Sequence, residues 1–152
     1  MDRYFFTEEG LRVNVVEHTL QVMKDNPFCS VMIGCDSQNN KKNTKYATCI
    51  VYRYPNKGAH YIYRIDIVPK IKDMFTRLFK ECEFSLDIAN YLSKEANIKD
   101  ITVELDYNNI KITKSTPLVS ATRGWVESSG YKCNLKGGLM VATKVADKVC
   151  RS

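Results

Sequence analysis

One short run, Val31–Gln38 (Val-Met-Ile-Gly-Cys-Asp-Ser-Gln), constrains the fold more than any other part of the chain. Its apolar residues favour a strand that is covered on both faces, and Asp36 stands at the end of that strand. A carboxylate is almost never buried unless something pairs with it. Asp36 therefore needs a partner, and a metal ion is the most productive candidate. A second run, Ile101–Asp106, repeats the pattern and ends in Asp106.

The chain length and composition favour one ordinary domain. With 152 residues, of which 44% are hydrophobic, the chain can bury a real core. We expect a single domain over 1–152, with 1–27 as an N-terminal helical extension. No apolar stretch approaches the roughly 20 residues that a membrane span needs. The N-terminus lacks a basic start followed by an apolar segment, so we expect no secretory signal and a cytoplasmic location.

The charge balance favours an anionic partner. The 23 basic and 17 acidic residues give a net charge of +6, and nucleic acid is the commonest partner of basic proteins. Two small lysine clusters, Lys41-Lys42 with Lys45 and Lys70 with Lys72, fall at predicted turns or helix starts, where a solvated surface is the ordinary interpretation. The six cysteines include no C-x2-C pair, so small buried residues in a reducing compartment are the favoured interpretation.

The hydrophobic pattern predicts a helix, three antiparallel strands, and then alternating helices and strands. Thr7 would cap the first helix, which ends near Pro27. Strands are predicted at 30–36, 44–54 and 59–68, a helix at 71–95 and a strand at 101–106. A further helix would begin at Ser115, with Pro117 in its first turn, and end at Gly130. A short strand at 131–135 and, after Gly137-Gly138, a helix through Cys150 complete the order.

Without its first helix, this order is that of the ribonuclease H fold, in which acids from two strands and two helices converge. Four short motifs stand in the corresponding order: Gly34–Gln38, Arg77-Leu-x-x-Glu81-x-x-x-Ser85-x-x-x-Ala89, Leu105–Asn108 and Val145–Asp147. In these motifs the chain resembles the YkuK-type ribonuclease-H-like family, a group of small bacterial and phage proteins. The resemblance covers most of the chain from Phe28 onward.

The resemblance implies an α/β ribonuclease-H-like fold: a mixed five-stranded sheet with helices on both faces, preceded here by an extra N-terminal helix. It also implies a metal-dependent nuclease in which Asp36, Glu81, Asp106 and Asp147 are the catalytic and metal-binding residues. The chain departs from the well-studied ribonucleases H, because it lacks their helix-opening Arg-Met-Glu pattern and a substrate-handling histidine before the last helix. The choice among RNA, DNA and hybrid substrates therefore stays open.

Helix geometry separately distinguishes Glu81 from its neighbour Glu83. At about 100° per residue, with Cys82 at zero, the apolar residues of the helix fill an arc from about 240° round to 60°. Glu81 lies inside this arc at about 260°, whereas Glu83 lies at about 100° on the polar side. A carboxylate inside the packed stripe faces the sheet. Glu81 is therefore the better ligand candidate, and Glu83 is most simply a solvated residue.

Ordinary structural roles compete with the functional ones for the other three acids. Asp36 and Asp106 could be strand-end turn residues or helix caps. Asp147 stands beside a buried stripe of the last helix and could simply face water. The two histidines, His18 and His60, have no nucleophile or acid at a useful spacing, which argues against a nucleophilic triad.

Four carboxylates suit phosphodiester hydrolysis because two Mg²⁺ (or Mn²⁺) ions about 3.5–4 Å apart can stabilise both the attacking and the leaving oxygen. Magnesium prefers hard oxygen ligands, so no histidine or cysteine is needed. The main alternative is a module of this fold that binds nucleic acid or a protein without cutting. An actin-like ATP-binding domain is a weaker alternative, because it needs a second lobe and a glycine-rich phosphate loop.

Overall fold

The computed structural model describes residues 4–56, 58–107, 112–135 and 140–152. Two sequence features used above, Asn108 and Gly137-Gly138, lie outside the described residues. The elements in chain order are β1 (Tyr4–Thr7), β2 (Arg12–Asn14), α1 (Val15–Asp25), β3 (Ser30–Asn39), β4 (Asn43–Arg53), β5 (Ala59–Pro69), α2 (Met74–Glu95), β6 (Ile101–Glu104), α3 (Ile112–Ser128), β7 (Lys132–Asn134) and α4 (Ala142–Arg151).

The strands form one mixed sheet in the order β2-β1-β5-β4-β3-β6-β7. The predicted antiparallel meander is confirmed, because β4 pairs antiparallel with both β3 and β5. Strand β6 pairs parallel with β3, and β7 pairs parallel with β6. The five predicted strands are therefore neighbours in the sheet, and the N-terminal segment adds two more at the β5 edge.

The N-terminal segment differs from the single helix predicted with Thr7 as its cap. Thr7 instead ends β1, and its side chain accepts a hydrogen bond from the backbone N–H of Leu11 across a tight turn. Gly10 adopts a φ of 89° in this turn, a conformation that glycine tolerates best. The helix begins only at Val15, and the side chain of Asn14 caps it by accepting from two backbone N–H groups.

Two further boundaries also differ from the sequence prediction. Helix α3 begins at Ile112, so Ser115 lies inside the helix and is not its cap. Pro117 consequently stands in the helix interior, where it lacks the N–H that would bond to the carbonyl of residue 113. Helix α2 begins at Met74 rather than at residue 71, because the side chain of Asp73 accepts a hydrogen bond from the N–H of Thr76.

Helices cover both faces of the sheet, as predicted. The larger core joins one sheet face to α1, α2 and the C-terminal part of α3, with side chains such as Ile33 and Leu86 fully or almost fully buried. On the other face, α4 packs against β3 and β4, where Ala142 shares a buried cluster with Met32, and Ala146 shares another with Ala47. The central strands are therefore buried on both sides, which agrees with their nearly continuous apolar sequences.

Candidate active site

Asp36 lies within β3, which continues to Asn39 rather than ending at Asp36 as predicted. Side chains alternate between the two faces of a strand. Ser37 accordingly contacts α2 on one face, whereas Gly34 and Asp36 face α4 on the other. Asp36 is half-buried, and its carboxyl group lies close enough to that of Asp147 for the two to interact electrostatically.

Glu81 faces the sheet from α2, and Glu83 faces solvent, as the helix geometry predicts. The Glu81 residue is 7% exposed, and its Oε2 accepts a hydrogen bond of 2.5 Å from the hydroxyl of Ser37. The side chain of Glu83 is 46% exposed and forms a surface ion pair with Lys80. Ser37 thus links the central strand directly to the buried acid of α2.

Asp106 and Asp147 approach the same region from β6 and α4. Strand β6 ends at Glu104, which pairs with Gly34, so Asp106 follows the strand at about the level of Asp36 and is exposed. Asp147 lies on α4, where Oδ1 accepts a hydrogen bond of 2.8 Å from Nε of Arg151 one turn later. The last helix therefore brings both an acid and a cation to the site.

All four predicted acids line one pocket of about 310 Å³. The pocket opens where β6 has ended and β3 continues, so side chains from α2 and from α4 both reach it. Two basic residues, Arg77 and Arg151, also line it. The structure thus brings together all four sequence-predicted residues; their catalytic role stays a prediction.

The pKa values of the pocket carboxyls are raised because these groups lie close together and are partly buried. Burial, the interaction of protonated Asp36 with the Asp147 carboxylate and the nearby negative charges of Asp147 and Asp106 raise the pKa of Asp36 to about 7. Burial raises the pKa of Glu81 to about 8; Asp36 and Asp106 add to this rise, while the Ser37 hydroxyl and Arg77 oppose it. Near neutral pH the pocket therefore retains protons that ordinary surface carboxyls have lost.

The donor atoms of this pocket are carboxylate oxygens, which match the preference of Mg²⁺ and Mn²⁺ for hard ligands. Within the described residues, however, no three histidine, cysteine, aspartate or glutamate side chains are placed as a group that could hold a metal ion. Asp147 is engaged by Arg151, and Asp106 is exposed. The chemistry of the donor set fits a divalent cation, but the carboxylates would have to move towards one another to bind one.

Sequence reasoning assigned no role to three residues that shape the site. Glu104 is 1% exposed, and its two carboxylate oxygens accept hydrogen bonds from the backbone N–H groups of Val141 and Thr143. For Glu104, the sequence signal was a single acid within the apolar run of β6, because a buried charge needs a partner. Arg77 and Arg151 each stand four residues from a site acid on the same helix, and this spacing indicates that each arginine lies next to that acid on the helix surface.

The fold and the pocket define an α/β domain of the ribonuclease-H-like type with a cluster of carboxylates at the end of its central strands. A family model described as "Ribonuclease H-like" matches residues 14–151, and the chain belongs to this family.

The chain is also similar, at low identity, to a solved viral structure. Among solved structures, the protease–reverse transcriptase of prototype foamy virus is similar to 83% of this chain, with a TM-score of 0.43 and 9% identity. The chain spans 20% of that protein's length. A search of curated proteins found no match. None of the helices in the described part of the chain is long and apolar enough to cross a membrane.

Proposed function

We propose that this protein is a divalent-metal-dependent nuclease that hydrolyses phosphodiester bonds in RNA, DNA or an RNA/DNA hybrid. One observation carries the proposal: four acids from β3, α2, α4 and the segment after β6 line a single pocket in a chain of the Ribonuclease H-like family. The narrower assignment to the YkuK-type group and the cytoplasmic location belong to this proposal as well.

In this proposal Asp36 and Asp106 would hold the metal ions, and Glu81 and Asp147 would complete the site. The ions, Mg²⁺ or Mn²⁺, would supply charge stabilisation at the attacking and leaving oxygens and lower the pKa of the attacking water. Ser37 holds Glu81 in orientation through its hydroxyl. Asp147 would have to release Arg151 in order to bind a metal ion.

A binding module without catalysis is the second candidate, and one observation favours it. The pocket is already partly neutralised without a metal, because Arg151 pairs with Asp147 and the raised pKa values of Asp36 and Glu81 favour their protonated forms. Such a module would bind nucleic acid with strong salt dependence and release it intact in Mg²⁺ and in Mn²⁺.

The test replaces Asp36 with asparagine and measures both cleavage and metal binding. Asp36→Asn should abolish Mg²⁺-dependent cleavage of labelled RNA, DNA and hybrid duplexes and weaken Mn²⁺ binding in calorimetric titration. Glu83→Gln is the matched control, since Glu83 lies on the same helix as Glu81 but outside the pocket lining. Unchanged cleavage in Asp36→Asn would exclude the mechanism, and intact binding without turnover in the native protein would favour the binding module.

A further inference from the structure

The two histidines of the chain, which are far apart in the sequence, meet outside the acidic pocket. His18 lies in α1 and His60 lies in β5, and their Nε2 atoms are 2.7 Å apart. The centroids of the two rings are 4.9 Å apart. Each ring therefore presents the same nitrogen to the other, and the two nitrogens converge on one point between α1 and the sheet.

Tyr52 of β4 supports both imidazole rings. Its ring lies 5.7 Å from that of His60, at an angle of 17°, and 5.9 Å from that of His18. Tyr52 is fully buried, and its hydroxyl shares a hydrogen bond of 2.6 Å with the hydroxyl of Thr19, the residue after His18. The two half-buried imidazoles thus rest on a fixed part of the core, and ligands held in this way lose little freedom when they bind an ion.

Both imidazoles favour the neutral form, which is the form that binds metal ions. Burial lowers the pKa of His18, and the nearby His60 lowers it further. Burial also lowers the pKa of His60, although Glu9 and Glu8 oppose this fall. A neutral imidazole that carries its proton on Nδ1 has a lone pair on Nε2. Two such lone pairs that face each other need a proton or a metal ion between them.

Negative charge lies beside the histidine pair. Glu8 and Glu9 are exposed residues of the turn between β1 and β2, and β1 pairs with β5, which carries His60. Glu8 forms an exposed ion pair with Lys148 at 3.8 Å, so that a cation already offsets part of its charge. Glu9 has the larger effect of the two on the pKa of His60. This turn therefore favours a cation at the histidine pair.

We propose that His18 and His60 bind one divalent transition-metal ion, Zn²⁺ in the simplest case, through their Nε2 atoms and so tie α1 to the sheet. Imidazole nitrogens suit Zn²⁺, Ni²⁺ and Cu²⁺, whereas Mg²⁺ prefers oxygen. With Zn–N bonds of about 2.0–2.1 Å, two ligands at tetrahedral positions stand about 3.3 Å apart, so the rings separate by about 0.6 Å on binding.

The remaining ligands of the ion would be water. In the described part of the chain, no third histidine, cysteine, aspartate or glutamate completes a metal-binding group with the pair. Structural zinc sites usually have four protein ligands, and catalytic sites have three. With only two, the ion exchanges with solvent and is not held permanently.

The histidine pair is separate from the acidic pocket, so this inference goes beyond the proposed nuclease and does not depend on it. Asp36 pairs with Ala47, which pairs with Ile65, and His60 stands five residues before Ile65 on β5. Five residues of a strand extend about 17 Å. The two sites also lie on different faces, because Tyr52 belongs to the larger core whereas Asp36 faces α4.

The experiment observes the histidine rings directly by NMR. Because the chain contains only two histidines, untagged protein labelled with ¹⁵N-histidine gives ring signals from His18 and His60 alone. The titration is made with Zn²⁺ near neutral pH in excess Mg²⁺, which competes for carboxylates but not for imidazoles. One equivalent of Zn²⁺ should shift the Nε2 signals of both rings together.

Variants test the assignment of the ligands. His18→Gln and His60→Gln should each weaken Zn²⁺ binding by about tenfold or more, since loss of even an outer partner of a metal ligand costs about 10–100-fold. Zn²⁺ should raise the urea midpoint of the native protein but not of these variants. Glu9→Gln should weaken binding by up to about fivefold. Glu127→Gln, which removes the same charge on α3, should leave it unchanged.

Two results would overturn the inference. Histidine signals that stay in place at excess Zn²⁺, or a shift of one ring alone, would mean that the pair is a hydrogen bond between two neutral rings. Equal Zn²⁺ affinity of the native protein and His18→Gln would place the ion elsewhere. Neither result bears on the nuclease, because cleavage is tested by Asp36→Asn at the other site.

Discussion

The buried carboxylate of Glu104 accepts a hydrogen bond of 3.1 Å from the backbone N–H of Thr143, and so fixes the start of α4 on the end of β6. Its other oxygen accepts from the N–H of Val141 at the same distance. The first N–H groups of a helix have no partner within it, and a negative charge near them is favourable. Because α4 carries Asp147, this contact positions one of the four acids of the pocket.

Glu104→Gln should destabilise the protein by about 1–3 kcal/mol. Glutamine offers one acceptor oxygen where the carboxylate offers two, so a buried backbone N–H of Val141 or Thr143 loses its partner. Urea unfolding monitored by circular dichroism gives the free energy of unfolding. Glu127→Gln is the control, since it changes an exposed ion pair on α3 and should shift stability by less than about 0.5 kcal/mol. Equal shifts in the two variants would contradict the capping role.

Gly34→Ala should push α4 away from β3. A Cβ at this position would lie 2.8 Å from the backbone N of Thr143 and 2.9 Å from the backbone C of Ala142, so the helix itself must move. We expect a loss of about 1–3 kcal/mol in stability and a reduction in metal affinity, because Asp147 moves with the helix. Urea unfolding and Mn²⁺ titration measure the two effects.

Gly124→Ala provides the matched control for this crowding. A Cβ at Gly124 meets nothing within 4 Å, and the position is inside α3. Alanine there should stabilise the protein by about 0.5–1 kcal/mol, because it lowers the backbone entropy lost on folding. If Gly34→Ala and Gly124→Ala were equally stable, α4 would be able to move away from β3 without a loss of stability.

Local sequence patterns predicted the parts of the fold that have a long, regular periodicity. Strands β4 and β5 and helix α2 extend over 11, 11 and 22 residues, so alternation or a helical stripe defines each clearly. Strands β1 and β2 have only four and three residues, too few to show a period. The polar residues after Thr7 therefore resembled a helix start, although Gly10 forms a turn there.

The candidate site likewise has some residues that local sequence patterns predict and others that are placed by contacts between distant parts of the chain. The helical period predicted that Glu81 faces the sheet, but the approach of Asp147 to Asp36 depends on a contact between Gly34 and α4 that has no local signal. The histidines show the same limit. His18 and His60, for which the sequence spacing indicated no nucleophile or acid partner, contact each other through their Nε2 atoms at 2.7 Å, a contact between α1 and β5 that spacing along the chain does not reveal.

The metal-free protein should lose stability as the pH rises, to an extent that depends on Asp36. Its pKa is about 7 in the folded protein and near 3.8 when unfolded, so between these values the folded state holds a proton that the unfolded state has released. The contribution of Asp36 to stability therefore falls as the pH rises from about 4 to about 7 and is constant above that range. Glu81, with a pKa of about 8, extends the fall to higher pH.

Asp36→Asn should accordingly be more stable than the native protein in EDTA at pH 8, by on the order of 1–2 kcal/mol after allowance for solvent screening of a half-buried group. The difference should shrink towards pH 4, where Asp36 is protonated in both states. Urea unfolding at several pH values measures it, and saturating Mg²⁺ should reverse the order of stability at pH 8 by binding the native carboxylates. Parallel pH curves for the two proteins would refute this account.

Arg151→Gln should increase the affinity of the pocket for Mn²⁺. Arg151 pairs with Asp147 at 2.8 Å and so competes with a metal ion for the same carboxylate. The pair is largely exposed, so its loss is worth no more than about 1 kcal/mol, and the expected gain in affinity is about fivefold or less. Calorimetric titration measures the dissociation constant, with Arg123→Gln, which breaks an equivalent pair with Glu127 on α3, as a control that should show no change. Weaker Mn²⁺ binding in Arg151→Gln would mean that Arg151 supports the metal-bound arrangement of the pocket instead of opposing it.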